Sequence, residues 1–144
     1  MATANIYLSF NGNCEEAFNF YKSVFGGEFS YFSRFGSVPE GDRYKVSDAY
    51  KNRVMHVALP IGNTELMGSD CHEDQSDSFI LGNNFSVSIT ADSKGDVDRI
   101  FKALSDGGVV TMPIKSTYWG DYIGMLTDKF GVNWMISFPE QQKQ

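Results

Sequence analysis

Apolar and polar residues alternate over Ile6 to Phe10, with Ile6, Leu8 and Phe10 on one face and Tyr7 and Ser9 on the other, which predicts a half-buried strand. The period then changes. Ala17, Phe18, Tyr21, Val24 and Phe25 recur at helical spacing and predict a helix whose apolar stripe lies on a sheet, with Asn13 as N-cap, Glu16 closing a capping box and Gly26 or Gly27 ending it. Glu28 to Phe35 reads as an aromatic strand. Val54 to Leu59 and Thr64 to Ser69 flank Ile61-Gly62-Asn63, a hairpin signal. Met55 and Val57 are expected to face the helix, and His56 and Ala58 the opposite side.

The same order returns in the second half. Phe85 to Thr90 alternates, with Phe85, Val87 and Ile89 expected toward a helix. Ser93 with Asp96 repeats the cap, and Val97, Ile100, Phe101 and Leu104 repeat the stripe. After Gly107-Gly108 come three strand-like runs, Val109 to Thr117, Tyr122 to Thr127 and Val132 to Phe138, joined by short turns. The spacings from Tyr7 to Gly26 and from Val87 to Gly107 agree to one position, so the chain reads as two β-α-β-β-β copies. The predicted class is α+β, with both helices outside and polar strand faces toward a shared concavity. The whole of 1–144 is expected to be one domain, made of modules 6–70 and 85–138 joined by a polar linker, 71–84. The stretch 36–53 is the least patterned part, with a turn at Pro39-Glu40-Gly41-Asp42. The tail after Phe138 is expected to fray.

Composition narrows the function classes. With 42% hydrophobic and 21% charged residues, the 144-residue chain falls among globular proteins. A net charge of −6 with scattered basic residues argues against nucleic-acid binding. No apolar run is long enough to span a bilayer and the start is unlike a signal peptide, so a cytoplasmic location away from membranes is expected. Cys14 and Cys71 lack metal-type spacing and read as two reduced thiols.

Several motifs together resemble one family. Tyr7-Leu8-Ser9-Phe10-Asn11-Gly12, Glu15-Glu16-Ala17-Phe18 with Phe20-Tyr21, Val54-Met55-His56, Leu66-Met67-Gly68-Ser69-Asp70, Met112-Pro113 and Trp119-Gly120-Asp121 through Thr127-Asp128-Lys129-Phe130-Gly131 with Trp134 are similar to the PhnB-like branch of the glyoxalase/bleomycin-resistance/dioxygenase superfamily, the vicinal oxygen chelate proteins. The resemblance implies paired βαβββ modules forming a cupped eight-stranded mixed sheet with helices outside, a pocket in each cup and, usually, a homodimer. The same strands could pair within one chain or across two. Metal-dependent members carry His, Gln or Glu on the first and last strands of each module. Here those strands offer Tyr7, Ser9, Ser86, Ser88, Asn133, Met135 and Ser137, which are poor ligands for Zn²⁺ or Fe²⁺.

His56 is the sharpest candidate for chemistry, as a general base or single metal ligand, against a structural hydrogen-bonded histidine. His72, among acids in the linker, reads as a solvated loop residue. Glu65 and Asp70 flank the last strand of the first half; Glu65 reads as solvated and Asp70 as a possible turn cap. Trp119, Tyr122 and Trp134 offer flat surfaces, Trp134 on the parity of a core residue and Trp119 on a turn facing the pocket. Tyr7, Ser9, His56, Ser69, Ser86, Ser88, Trp119 and Asn133 are the expected ligand-binding set. No P-loop, G-x-S-x-G elbow or Gly-rich strand-to-helix turn is present, and with it no motif for the methyl-donor cofactor implied by the demethylubiquinone methyltransferase label some PhnB-like sequences bear. The expectation is a metal-independent small-molecule binding protein with a hydroxyl- and aromatic-lined cup. The alternative is a metal-dependent lyase, isomerase or dioxygenase using His56 and a divalent metal.

Overall fold

The computed structural model describes residues 1–140, which divide into two compact units at Ile80/Leu81. The first contains β1 (Ile6–Phe10), α1 (Cys14–Phe25), β2 (Tyr31–Arg34), β3 (Val54–Ile61) and β4 (Thr64–Asp70). Its sheet order is β1-β4-β3-β2, with β1 and β4 parallel and the other pairs antiparallel. The second contains β5 (Val87–Thr90), α2 (Lys94–Ser105), β6 (Val109–Ser116), β7 (Asp121–Thr127) and β8 (Asn133–Pro139), in the order β5-β8-β7-β6. Each unit is thus a four-stranded mixed sheet with one helix, and the repeat seen in the sequence is a repeat of topology.

Both helical stripes pack as their periodicity predicts. Ala17, Phe18, Tyr21 and Val24 of α1 are buried, as are Val97, Ile100, Phe101 and Leu104 of α2. They meet Leu8, Phe10, Val57 and Leu66 in the first unit, and Val87, Leu126, Trp134 and Ile136 in the second, all among the buried core. Trp134 is fully buried, as its strand parity required. Its indole donates to Asp128, whose other oxygen accepts the Phe130 and Val132 amides. A buried indole N–H and a buried carboxylate therefore satisfy each other. Arg34 of β2 forms a two-bond fork with Glu15 of α1 (2.8–2.9 Å), and those bonds hold the Glu15 carboxyl below its ordinary range.

The two helix starts differ. Ser93 caps α2, its hydroxyl accepting the Asp96 amide. Asn13 makes no side-chain cap bond, contrary to the expected capping box. The cap comes instead from the end of β4. Asp70, 2% exposed, accepts the Gly12 and Cys14 amides on one oxygen and the Val54 amide on the other. A carboxylate at a helix N-terminus also meets the positive end of the helix dipole.

Three strands depart from expectation. β2 is only Tyr31–Arg34, because Phe35 turns inward with Val38 and Val46 into a small core of its own. The stretch 36–53 therefore has more order than its composition suggested, including single 3-10 turns at Phe35–Ser37 and Asp48–Tyr50. β3 is irregular: Ser33 pairs with His56 but Arg34 pairs with Val54, so Met55 is bulged out of the ladder and packs on the Phe35 cluster, not against α1. β5 starts at Val87, leaving Phe85 56% exposed where an inward side chain was expected.

Candidate functional site

The face of the first sheet turned away from α1 carries the best-formed cluster. Leu8 and Phe10 point to the helix, so Tyr7 and Ser9 emerge opposite, beside Met67 and Ser69 of β4 in register. Met67 pairs with Ala58 and Ala58 with Tyr31; His56 pairs with Ser33. On that face the His56 ring stacks on Tyr7 (centroids 5.6 Å apart, 29° between planes) and lies 5.4 Å from Tyr31. The Tyr7 hydroxyl is 3.4 Å from His56 Nδ1. Tyr7 and Tyr31 remain about half exposed (48% and 51%), while Ser33 Oγ is buried without a partner. The result is an imidazole between two accessible rings, edged by hydroxyls and a thioether.

Tyr7, Ser9, His56 and Ser69 are thus brought together as the sequence suggested. Tyr31, Ser33 and Met67 join them, and the sequence reading missed all three. Alternation within β2 does not by itself mark Tyr31, which faces the same side as His56 only once β2 and β3 are paired.

The other four expected residues lie in the second unit and do not cluster so closely. Ser88 is exposed on β5, paired with Met135 of β8, while Ser86 precedes the strand. Asn133 is engaged, accepting from Thr127 Oγ1 (2.7 Å) and donating to the Phe85 carbonyl, so it holds a strand end. Trp119, 49% exposed, donates to Asp121 Oδ2 and meets Tyr118 edge-on. Tyr122 is no platform for a ligand: its hydroxyl donates to Asp98 of α2 and Lys94 sits over its ring.

Three further readings are corrected. His72 is not solvated: its side chain is 15% exposed, packed edge-on against Phe35 and 6.4 Å from Tyr44. Asp70 is a cap, but on the start of α1 and the Val54 amide and not on the turn that follows it. Glu65 is half-buried and accepts the Ser30 hydroxyl.

A metal does not fit this site. Among the described residues no group of three or more His, Cys, Asp or Glu could hold a metal ion. His56 has phenols and hydroxyls for neighbours where a divalent cation requires further imidazole, thiolate or carboxylate. The cysteines are both buried and free of a disulfide, and burial pushes both thiols above their ordinary pKa. With so little thiolate near neutral pH, neither is expected to react with a disulfide reagent until the chain is unfolded. Rapid modification of either thiol in native protein at pH 7.5 would contradict that placement.

Two four-stranded mixed sheets in the βαβββ order, each with its helix, make up a glyoxalase-like fold. A family model described as 3-demethylubiquinone-9 3-methyltransferase matches residues 2–137, and the chain belongs to that family. It is 36% identical to protein PA1353 from Pseudomonas aeruginosa, whose crystal structure superposes with a TM-score of 0.80 over 98% of this chain and 100% of that one. The PhnB protein from Bacillus cereus, a putative 3-demethylubiquinone-9 3-methyltransferase, gives 27% identity and a TM-score of 0.74 over 95% and 99%. Protein YjdN of Escherichia coli is 29% identical over 142 residues, 94% of this chain and 95% of its own length. A glyoxalase/bleomycin resistance protein/dioxygenase family enzyme from Burkholderia phytofirmans, 20% identical, shares the fold with a TM-score of 0.62. No described helix is long and apolar enough to cross a membrane.

Proposed function

We propose that this chain is a metal-independent binding protein for a small planar molecule, held on the free face of the first sheet. The observation that carries the reading is the Tyr7–His56–Tyr31 cluster. Rings left half exposed at van der Waals spacing offer a stacking surface, and the phenol, imidazole and serine hydroxyls around them supply directional contacts. His56 would orient the ligand through hydrogen bonding, with the Tyr7 hydroxyl fixing the imidazole ring. The lack of further metal ligands around His56 favours this reading over a metal-dependent lyase, isomerase or dioxygenase.

Methyl transfer, which the family description names, finds less support in the chain. The amides at the start of α1 already bind the Asp70 carboxylate, and the α2 start is capped by Ser93, so neither offers the open strand-to-helix turn that holds a nucleotide-like cofactor. A homodimer and a cytoplasmic location complete the proposal; sedimentation showing twice the mass of the chain would support the dimer.

The test is a titration of labelled protein with a panel of planar aromatic compounds, followed by amide and ring NMR shifts. A ligand of this site moves the resonances of Tyr7, Tyr31 and His56, and His56→Ala weakens it about tenfold through lost stacking and hydrogen bonding. If no compound binds, or those bound leave these three residues unmoved, the assignment fails.

A further inference from the structure

A second concavity lies in the first unit and shares no residue with the Tyr7–His56–Tyr31 cluster. It has a volume of about 350 Å³ and is lined by Arg43, Tyr44, His72, Asp74 and Gln75. That volume is within the range of small-molecule sites. Two segments build it, the 36–53 stretch and the 3-10 turn Glu73–Ser78 that follows β4. They are tied together beside the cavity: Glu73 accepts both the amide and the hydroxyl of Ser47, bonds that hold its carboxyl below the ordinary range. Asn11 secures the same turn from the other side, donating to the Ser76 carbonyl and accepting its hydroxyl.

The lining carries one full charge of each sign, and neither is spent on the other. Arg43 lies over the Tyr44 ring, 4.6 Å from its centroid, and donates to the Tyr44 hydroxyl. Among the described residues it has no carboxylate within ion-pair distance. Asp74 keeps 83% of its side chain exposed and approaches only His72 Nδ1, at 3.4 Å. His72 Nδ1 also accepts the Asp74 amide, at 3.3 Å, while its Nε2 is buried and out of reach of a ligand. The wall therefore offers a guanidinium without a carboxylate partner, a side-chain amide and an accessible carboxylate beside the Tyr44 ring.

A simple anion would meet Asp74, and a simple cation would meet Arg43. We propose that this cavity binds a small zwitterion, a free α-amino acid, with its carboxylate on Arg43 and its ammonium on Asp74. The exposed Tyr44 ring favours an aromatic side chain, and Gln75 adds an amide. This goes beyond the sheet-face reading and does not depend on it.

The experiment is an amide-shift titration of the full chain with L-phenylalanine, 3-phenylpropionate and 2-phenylethylamine. The last two each lack one charge of the first. L-Phenylalanine is expected to shift Arg43, Tyr44, Asp74 and Gln75 saturably and to leave Tyr7, Tyr31 and His56 unmoved. Each single-charge compound should bind about tenfold more weakly, and R43Q and D74N should each weaken the amino acid by about tenfold, the loss of one charge-assisted contact. Both substitutions are at accessible side chains, so retained amide dispersion shows that the variants are folded. Equal binding of all three compounds, no saturable shift at millimolar L-phenylalanine, or shifts confined to the sheet face would overturn the proposal.

Discussion

Replacing Asp70 by alanine is expected to be the most damaging single change in the first unit. Three backbone amides would lose their acceptor, those of Cys14 and Val54 in buried hydrogen bonds and that of Gly12 in a part-buried one. A hydrogen bond to a charged group contributes about 1.5–3 kcal/mol, and each buried donor left unmade costs its desolvation. Because the three share one acceptor, their losses are not additive, and we expect about 4 kcal/mol in total. In a domain of this size that lowers Tm by roughly 10 °C or more. Asp70→Asn should fall between, since its amide keeps one acceptor oxygen but turns an NH₂ toward a backbone donor. Chemical denaturation of the three proteins decides it, and an alanine variant within about 0.5 kcal/mol of the parent would remove Asp70 from this role.

Gly68→Ala should cost nearly as much for a different reason. A methyl group at Gly68 would stand 2.6 Å from the Phe18 ring and 2.8 Å from the Leu8 carbonyl. The ring can give way only by disturbing Phe10 and Tyr21, which it meets edge-on, and the carbonyl belongs to the parallel β1–β4 ladder. Overpacking of this kind costs about 1–3 kcal/mol, and the rigid backbone contact places this site at the upper end. Since Met67 and Ser69 flank the glycine on the opposite face, the same change should displace the Tyr7–His56 pair and weaken any ligand there. Unchanged stability together with unchanged Tyr7 and His56 resonances would show that α1 can lift off the sheet freely. Gly124 stands in the same relation to Phe101 in the second unit, at 2.6 Å. Each sheet thus uses a glycine to seat a helical phenylalanine.

How far the sequence could be read depended on the range of the interaction. Both helical stripes and the identity of each strand were legible because residues three or four apart, or two apart, share a face whatever the rest of the chain does. Trp134 could be placed in the core on the same ground. The bulge at Met55 could not be seen, because it arises where β2 meets β3 and exists in neither strand alone. Asp70 gave no sign of its partners, which lie far away in the chain at Gly12, Cys14 and Val54. His72 looked solvated from its acidic neighbours, yet Phe35 and Tyr44 cover it. Within the candidate site, Tyr7, Ser9, His56 and Ser69 followed from alternation, whereas Tyr31 and Ser33 needed the pairing register. Phe85 was misread because alternation continues for two residues beyond the point where the ladder stops.

The parallel pairing of β1 with β4 also bears on how the chain is made. Ile6 to Phe10 leave the ribosome before the other strands of their unit, but their partners are Leu66 to Asp70, its last strand. Until Asp70 emerges, β1 has no ladder and the start of α1 has no acceptor for its amides. The nascent chain must therefore carry an apolar strand without its mate while β2 and β3 are being synthesised, the state in which strands are most open to pairing with the wrong chain. Closure of the first unit becomes a single late event, set by synthesis of the β3–β4 hairpin. Nascent chains halted before Leu66 should accordingly remain protease-sensitive from Ile6 onward, whereas those extended past Ile80 should be protected as one block.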